Sequence, residues 1–227
     1  EVVTVIRSQG GTIDKFIGDA VMALWNAPKP QPDHPLGAAL AAIDAVSVVD
    51  RLNERWAVEG KPAMQTRIGI STASVVVGNI GSSQRLSYTA LGDGVNLTAR
   101  LEGANKVYGT SILASQALIS RLPAGVVAAQ AVDILVVRGK AEGVRIYEIL
   151  GRAGEVPGHR LEAAGIYEEA FELYLARDFG RAARLFRQVS ELLPGYRPAE
   201  LLLDRCLLFA ADPPSETWDG SFALNTK

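Results

Sequence analysis

Asp19, Asn96 and Arg100 have the types and the spacing to work on a phosphorylated substrate. Asp19 follows Gly18 between two short runs of strand character, residues 12–17 and 20–25. Glycine at the first position of a two-residue turn fits the type II′ hairpin. A carboxylate in such a turn is exposed, and the ladder on both sides holds its backbone. Catalytic Mg2+ sites use one or two carboxylates and take further ligands from substrate phosphates. Asn96 and Arg100 lie four residues apart near the start of a helical stretch, so they share a face. An amide there can orient a sugar while a guanidinium one turn later contacts a phosphate on which charge builds during attack. Each feature also has a plainer reading alone: Gly-Asp turns are common, and any helix can carry a capping-region Asn and a surface Arg.

The elements that must position these side chains follow from periodicity and punctuation. Val2, Val5 and Ile6 have helical spacing in residues 1–8, and Gly10-Gly11 ends that helix. Residues 28–35 form a Pro-rich loop, and 36–56 are alanine-rich and helical. The β-branched run 65–78 reads as one strand and 86–91 as a short one. Asp93 is the expected N-cap of a helix reaching about residue 107. Residues 111–114 read as a strand followed by a short helix, and 126–138 with 144–150 as a closing hairpin around 139–143. Strand alternation places Asp14 on the face opposite Lys15, which removes Asp14 as a metal ligand. Strands and helices that alternate with hairpins embedded point to an α+β sheet with helices on one face.

After residues 151–158, a linker without apolar period, only helices are expected: 161–176, 180–193 and 198–210. Ala170, Phe179, Ala182, Phe186 and Pro194 fall at offsets resembling one tetratricopeptide unit. One such unit cannot bury its own apolar face, so it is expected to pack on the preceding domain or on a second copy. The division is therefore 1–150, a linker at 151–158, a helical tail at 159–211 and an extended polar end at 212–227.

Composition removes several function classes. Net charge is −2, which gives no electrostatic case for nucleic acid or an anionic membrane as partner. Cys206 is the single cysteine; it excludes an intrachain disulfide, suits a reducing compartment and reads as buried helix filler. No run reaches the roughly 18 apolar residues of a membrane span. His34 and His159 have no Cys or His nearby in sequence, and no Walker pattern is present. Gly69, Gly78 and Gly81 read as packing and turn glycines.

Taken together and in this order, IDKFIGDAVMALW at 13–25 and YTALGDGVNLTARLE at 88–102 resemble the catalytic core of class III nucleotidyl cyclases, over about residues 1–150. The fold this implies is ferredoxin-like, α+β, lacking its first strand in this chain and followed by a small helical tail; with a strand and a helix added upstream the order becomes β-α-β-β-α-β. The resemblance implies that Asp19 is one ligand of two Mg2+ or Mn2+ ions, the second Asp lying on the missing strand. It places Lys15 against the purine, donating to adenine N1, and Thr89 as the second purine-facing residue. The Lys15/Thr89 pair resembles a bacterial subgroup, often bicarbonate-responsive, and favours ATP over GTP, although a threonine hydroxyl donates as readily as it accepts. It assigns Asn96 to the ribose and Arg100 to the α-phosphate. Arg138 and Lys140, flanking Gly139, resemble the family's phosphate-binding segment.

The implied activity is adenylate cyclase, making cyclic AMP and pyrophosphate from ATP, in a symmetric homodimer with two equivalent sites. The 227 residues alone are expected to be inactive; the tail resembles that of membrane-anchored bacterial cyclases with an N-terminal sensor, which implies an anchor and a sensor upstream of a cytoplasmic catalytic part. Departures from the family pattern are Ser71-Thr72-Ala73 in place of His-Thr-Gly, Gly94 in place of Thr, and Thr98 in place of Ala. These are expected to alter packing or rate. The competing readings are a silent cyclase-like domain that binds nucleotide or dimerises, and an adaptor working through the helical tail. A diguanylate cyclase is disfavoured, since no Gly-Gly-Asp/Glu-Glu-Phe run is present.

Overall fold

A computed structural model describes residues 1–82, 84–136 and 143–222. Helix α1 (Val2–Ser8) leads into an antiparallel hairpin of β1 (Thr12–Ile17) and β2 (Ala20–Leu24). Gly18 has φ of 62° while Asp19 keeps a negative φ, as a type II′ turn requires. The long helix α2 (His34–Val58) carries Pro35 in its first turn, where a missing N–H costs nothing. Then come β3 (Ile68–Ile70), the hairpin β4 (Val76–Ser82) and β5 (Arg85–Leu91), α3 (Asp93–Tyr108), β6 (Ile112–Ser115), α4 (Gln116–Ile119), β7 (Val127–Leu135) and β8 (Val144–Arg152). Three helices close the chain, α5 (Gly158–Leu175), α6 (Phe179–Leu192) and α7 (Arg197–Ala211).

The main sheet has the order β3-β6-β8-β7, with β3 parallel to β6 and the other pairs antiparallel. The hairpins β1-β2 and β4-β5 are separate two-stranded ribbons. Successive residues of β6 point to opposite faces. Ile112 and Ala114 join a core with Ala39, Ala42 and Ile43 of α2, whereas Leu113 joins Leu97, Leu101 and Tyr108 of α3. Helices therefore cover both faces, not the one face that element alternation implied.

Two local readings of the sequence change. The run 65–78 is not one strand, because the chain leaves the sheet after Ile70. There the Ser71 hydroxyl bonds the Gly94 carbonyl at 3.2 Å and the Thr98 hydroxyl at 2.6 Å, which diverts the backbone towards α3. Gly69 permits the approach, since a Cβ at that position would collide with the α3 backbone at Thr98 and Glu102. The N-cap of α3 is Gly92, not Asp93. Gly92 has φ of 146°, open to glycine and closed to most residues, so the chain turns one residue earlier. Asp93 lies in the first turn, where its charge complements the helix dipole.

The helical tail packs on its own sheet. Tyr167, Phe171, Tyr174 and Phe186 form one core with Ala131, and Ile134 and Tyr147 pack against it. The Tyr167 hydroxyl donates to the Val132 carbonyl at 2.7 Å. Arg160 of α5 donates to Gln130 at 2.7 Å and to Glu148 at 2.8 Å, and the Tyr196 hydroxyl donates to the same carboxylate at 2.5 Å. Asp133 of β7 is fully buried; it accepts from Tyr108 of α3 at 2.5 Å and from Arg205 of α7 at 2.6 Å. Cys206 is also fully buried, and burial pushes its thiol up to about 12, which fits the filler role. Beyond α7 the chain folds back: Trp218 packs edge-on to Tyr174, and Phe222 pairs with β7 through a bond to Ile134 at 3.0 Å and one from Val136 at 3.4 Å.

Candidate active site

Lys15 and Thr89, 74 residues apart in sequence, are in direct contact: the Lys15 ammonium donates to the Thr89 hydroxyl at 3.0 Å. The contact joins the two ribbons, since Lys15 lies on β1 and Thr89 on β5. A third residue completes it. Asp14 Oδ2 accepts the Thr89 hydroxyl proton at 2.6 Å, and Asp14 Oδ1 stands 3.5 Å from the Lys15 ammonium. Strand alternation had placed Asp14 on the far face, and the pairing of β1 with β2 explains the difference. Ile13 faces Ala23 and Lys15 faces Met22, so Asp14 is the extra residue of a β-bulge, which interrupts the alternation. Its side chain is 1% exposed while that of Lys15 is 42% exposed. The trio thus offers one open cationic tip above a buried carboxylate.

Asn96 and Arg100 project from α3 one turn apart, both exposed. Among the described residues neither side chain has a hydrogen-bond partner. The opposite stripe of α3, Leu97, Leu101, Ala104 and Tyr108, is buried against the sheet and fixes the rotation of the helix. Its axial position is fixed by Asn105, whose amide donates to the Ile68 carbonyl at 3.0 Å while its oxygen accepts from Thr110 at 2.8 Å. Thr89 and Asn96 are linked by the short path from the end of β5 through Gly92.

Asp19 stands exposed at the tip of the β1-β2 turn. Among the described residues no three His, Cys, Asp or Glu side chains converge as a ligand set. A lone exposed carboxylate fits one corner of a Mg2+ or Mn2+ shell whose other positions phosphate and water fill. Arg138 and Lys140 lie outside the described residues.

The departures from the family pattern turn out to be neighbours. Thr98 bonds Ser71, and a Cβ on Gly94 would lie 2.5 Å from the Cβ of Ala73. A side chain at 94 and one at 73 exclude each other, so the substitutions at 71, 73, 94 and 98 repack one contact between α3 and the segment after β3. The residue that sequence reasoning missed is Asp14; its only signal was a carboxylate adjacent to the lysine.

The family model for the adenylate and guanylate cyclase catalytic domain matches residues 4–151. Adenylate cyclase 1 of Rhizobium meliloti is 39% identical over 147 residues, which is 65% of this chain and 22% of that protein. The terminal-differentiation-specific adenylate cyclase of Dictyostelium discoideum is 31% identical over 207 residues, 89% of this chain and 10% of that one. The chain thus spans under a quarter of the length of either relative. Among solved structures, the adenylyl cyclase CyaB from P. aeruginosa matches with a TM-score of 0.61 at 29% identity, covering 69% of this chain and 80% of that one. A guanylyl cyclase crystal structure matches with a TM-score of 0.58 at 32% identity, covering 68% and 77%. On the matched span, the fold and the shared motif residues, this chain belongs to the adenylate and guanylate cyclase catalytic domain family.

Proposed function

We propose that the protein is an adenylate cyclase that converts ATP to 3′,5′-cyclic AMP and pyrophosphate. The observation that supports this reading is the Lys15–Thr89 contact at 3.0 Å, from which the half-exposed Lys15 ammonium would donate to the N1 of a bound purine. Adenine N1 accepts a hydrogen bond and guanine N1 carries a proton, so a lysine selects adenine. Asn96 orients the ribose, and Arg100 holds the α-phosphate as charge builds on it. The 3′-hydroxyl gives its proton to water as its oxygen bonds to the α-phosphorus, the bond to the bridging oxygen breaks in line, and pyrophosphate leaves with that electron pair. Asp19, with a second carboxylate, would hold divalent cations, which when bound would acidify the 3′-hydroxyl and neutralise the triphosphate. Arg138 and Lys140 are assigned to the terminal phosphates.

The working unit is a homodimer. Phe16, Ile17, Val76, Leu86 and Leu91 of the two ribbons are each more than half exposed, an apolar set beside the candidate site that a second copy would cover. One chain carries both a metal carboxylate and the nucleotide contacts, so a two-fold axis generates two equivalent sites. No described helix is long and apolar enough to cross a membrane. A sensor upstream and a cytoplasmic catalytic part belong to the same proposal.

The test is cyclic AMP formation from ATP and Mn2+ by the full-length protein, with Asn96→Ala as control. We expect turnover that falls at least about a hundredfold in the control. Residues 1–227 alone, with one such carboxylate at the turn, are expected to turn over little. The alternative is a nucleotide-binding or dimerisation domain without catalysis, against which Asp19, Asn96 and Arg100 argue; absence of turnover in the folded full-length dimer would select it.

A further inference from the structure

We infer that Asp14 sets the nucleobase preference of this site by fixing the hydrogen-bonding polarity of Thr89; the inference rests on the cyclase reading above. A threonine hydroxyl has one proton to donate and two lone pairs. Unconstrained, it would satisfy a 6-amino group by accepting or a 6-oxo group by donating, and would discriminate nothing. Here its proton goes to Asp14 Oδ2 at 2.6 Å, within the range of a charge-assisted O–H···O bond. One lone pair receives the Lys15 ammonium at 3.0 Å. What remains to a ligand is one lone pair, so Thr89 acts as an acceptor only. Adenine presents an amino donor at position 6, and guanine presents an acceptor oxygen there. The trio therefore welcomes the first and sets two lone pairs against each other with the second.

Burial enforces the arrangement. The Asp14 side chain is 1% exposed, and its Oδ1 has no hydrogen-bond partner among the described residues. Thr89 is itself buried, with little room for water to take its proton instead. The hydroxyl rotor is thus held by a carboxylate beneath it. The bulge at Asp14 is what makes this possible, since a regular β1 would send the carboxylate to the other face. Asp14 is a positioning residue acting through Thr89, and a mere tether between β1 and β5 would leave base preference unchanged.

The experiment measures ATP and GTP affinity by competition with a fluorescent ribose-substituted nucleotide on the full-length protein, alongside cyclic AMP formation. Asp14→Ala is expected to reduce the ATP/GTP affinity ratio about tenfold or more, the scale of one hydrogen bond to a charged partner. In a Thr89→Val background the same substitution should leave the ratio unchanged. Thr89→Val alone is close in shape and keeps the test open if Asp14→Ala does not fold. An acceptor-only threonine predicts that it weakens ATP about tenfold while GTP binds as well or better. A parallel loss of GTP affinity in Thr89→Val, or an unchanged ratio in folded Asp14→Ala, would overturn the inference. Those outcomes leave unsubstituted turnover intact, whereas an unsubstituted protein that makes no cyclic AMP overturns the functional reading itself.

Discussion

Each nucleotide contact proposed here depends on a particular donor geometry, not on charge alone. Arg100 illustrates this: a guanidinium offers a planar fork of donors to a phosphate, and an ammonium offers a point charge. We expect Arg100→Ala to lower kcat at least about a hundredfold and Arg100→Lys to recover only part of the loss, with KM for ATP moving less than kcat in both. Steady-state cyclic AMP assays on the full-length protein check this. That Asn96 and Arg100 share a face of α3 could be read from their spacing of four, whereas Lys15 and Thr89 were singled out by the motifs that hold them, and only the fold shows that they touch. Asp14 could not be read from the sequence. Its direction depends on how β1 registers against β2, where Lys15 faces Met22 and leaves Asp14 unpaired, and no periodicity of β1 itself encodes that slip.

Between elements, a buried carboxylate ties α3 to the tail, where Leu201 of α7 also packs on the α3 core. Asp133 takes one bond from Tyr108 at the end of α3 and another from Arg205 of α7, which also stacks on Phe222 at 3.8 Å. Burial pushes the Asp133 carboxyl up, and Arg205 and Tyr108 oppose that push. Arg205→Ala would strand this carboxylate, so we expect a loss of about 3–5 kcal/mol in urea denaturation. Replacing both partners, Asp133→Leu with Arg205→Met, should cost less than the single change. The helices themselves were legible in the sequence, with ends within a few residues of those observed, because glycine, proline and capping residues punctuate runs of good helix formers. The split of 65–78 into β3 and β4 was not legible, because Val, Ile and Thr favour strand throughout. What ends β3 is Ser71 reaching α3, a partner more than 20 residues away.

At the scale of the molecule, the tail and the sheet share one core, so they should unfold as one unit. A chain ending at Pro157 would bare Ala131, Ile134 and Tyr147, and we expect it to be insoluble or to lose its cooperative thermal transition. The opposite side of the sheet is joined by Asp44 of α2, which pairs with Arg152 at 2.7 Å and accepts from Gln9 at 3.0 Å. The hydrogen bond from Arg152 holds the Asp44 carboxyl below its usual range. An acid with a depressed folded pKa stabilises the fold above its unfolded pKa of about 4, and that contribution disappears as pH falls through the folded value. Asp44→Asn should therefore cost about 0.5–1 kcal/mol at pH 7 and progressively less as pH falls below about 4, by denaturant midpoints across that range. The return of the chain at Phe222 has a further consequence. It pairs with the last residues of β7 on the outer edge of the sheet, where unpaired backbone groups would otherwise recruit a strand from another molecule. Chains cut back to Asp212 should polymerise through that open edge at high concentration, and the segment around Phe222 would then act as a built-in guard against fibre growth.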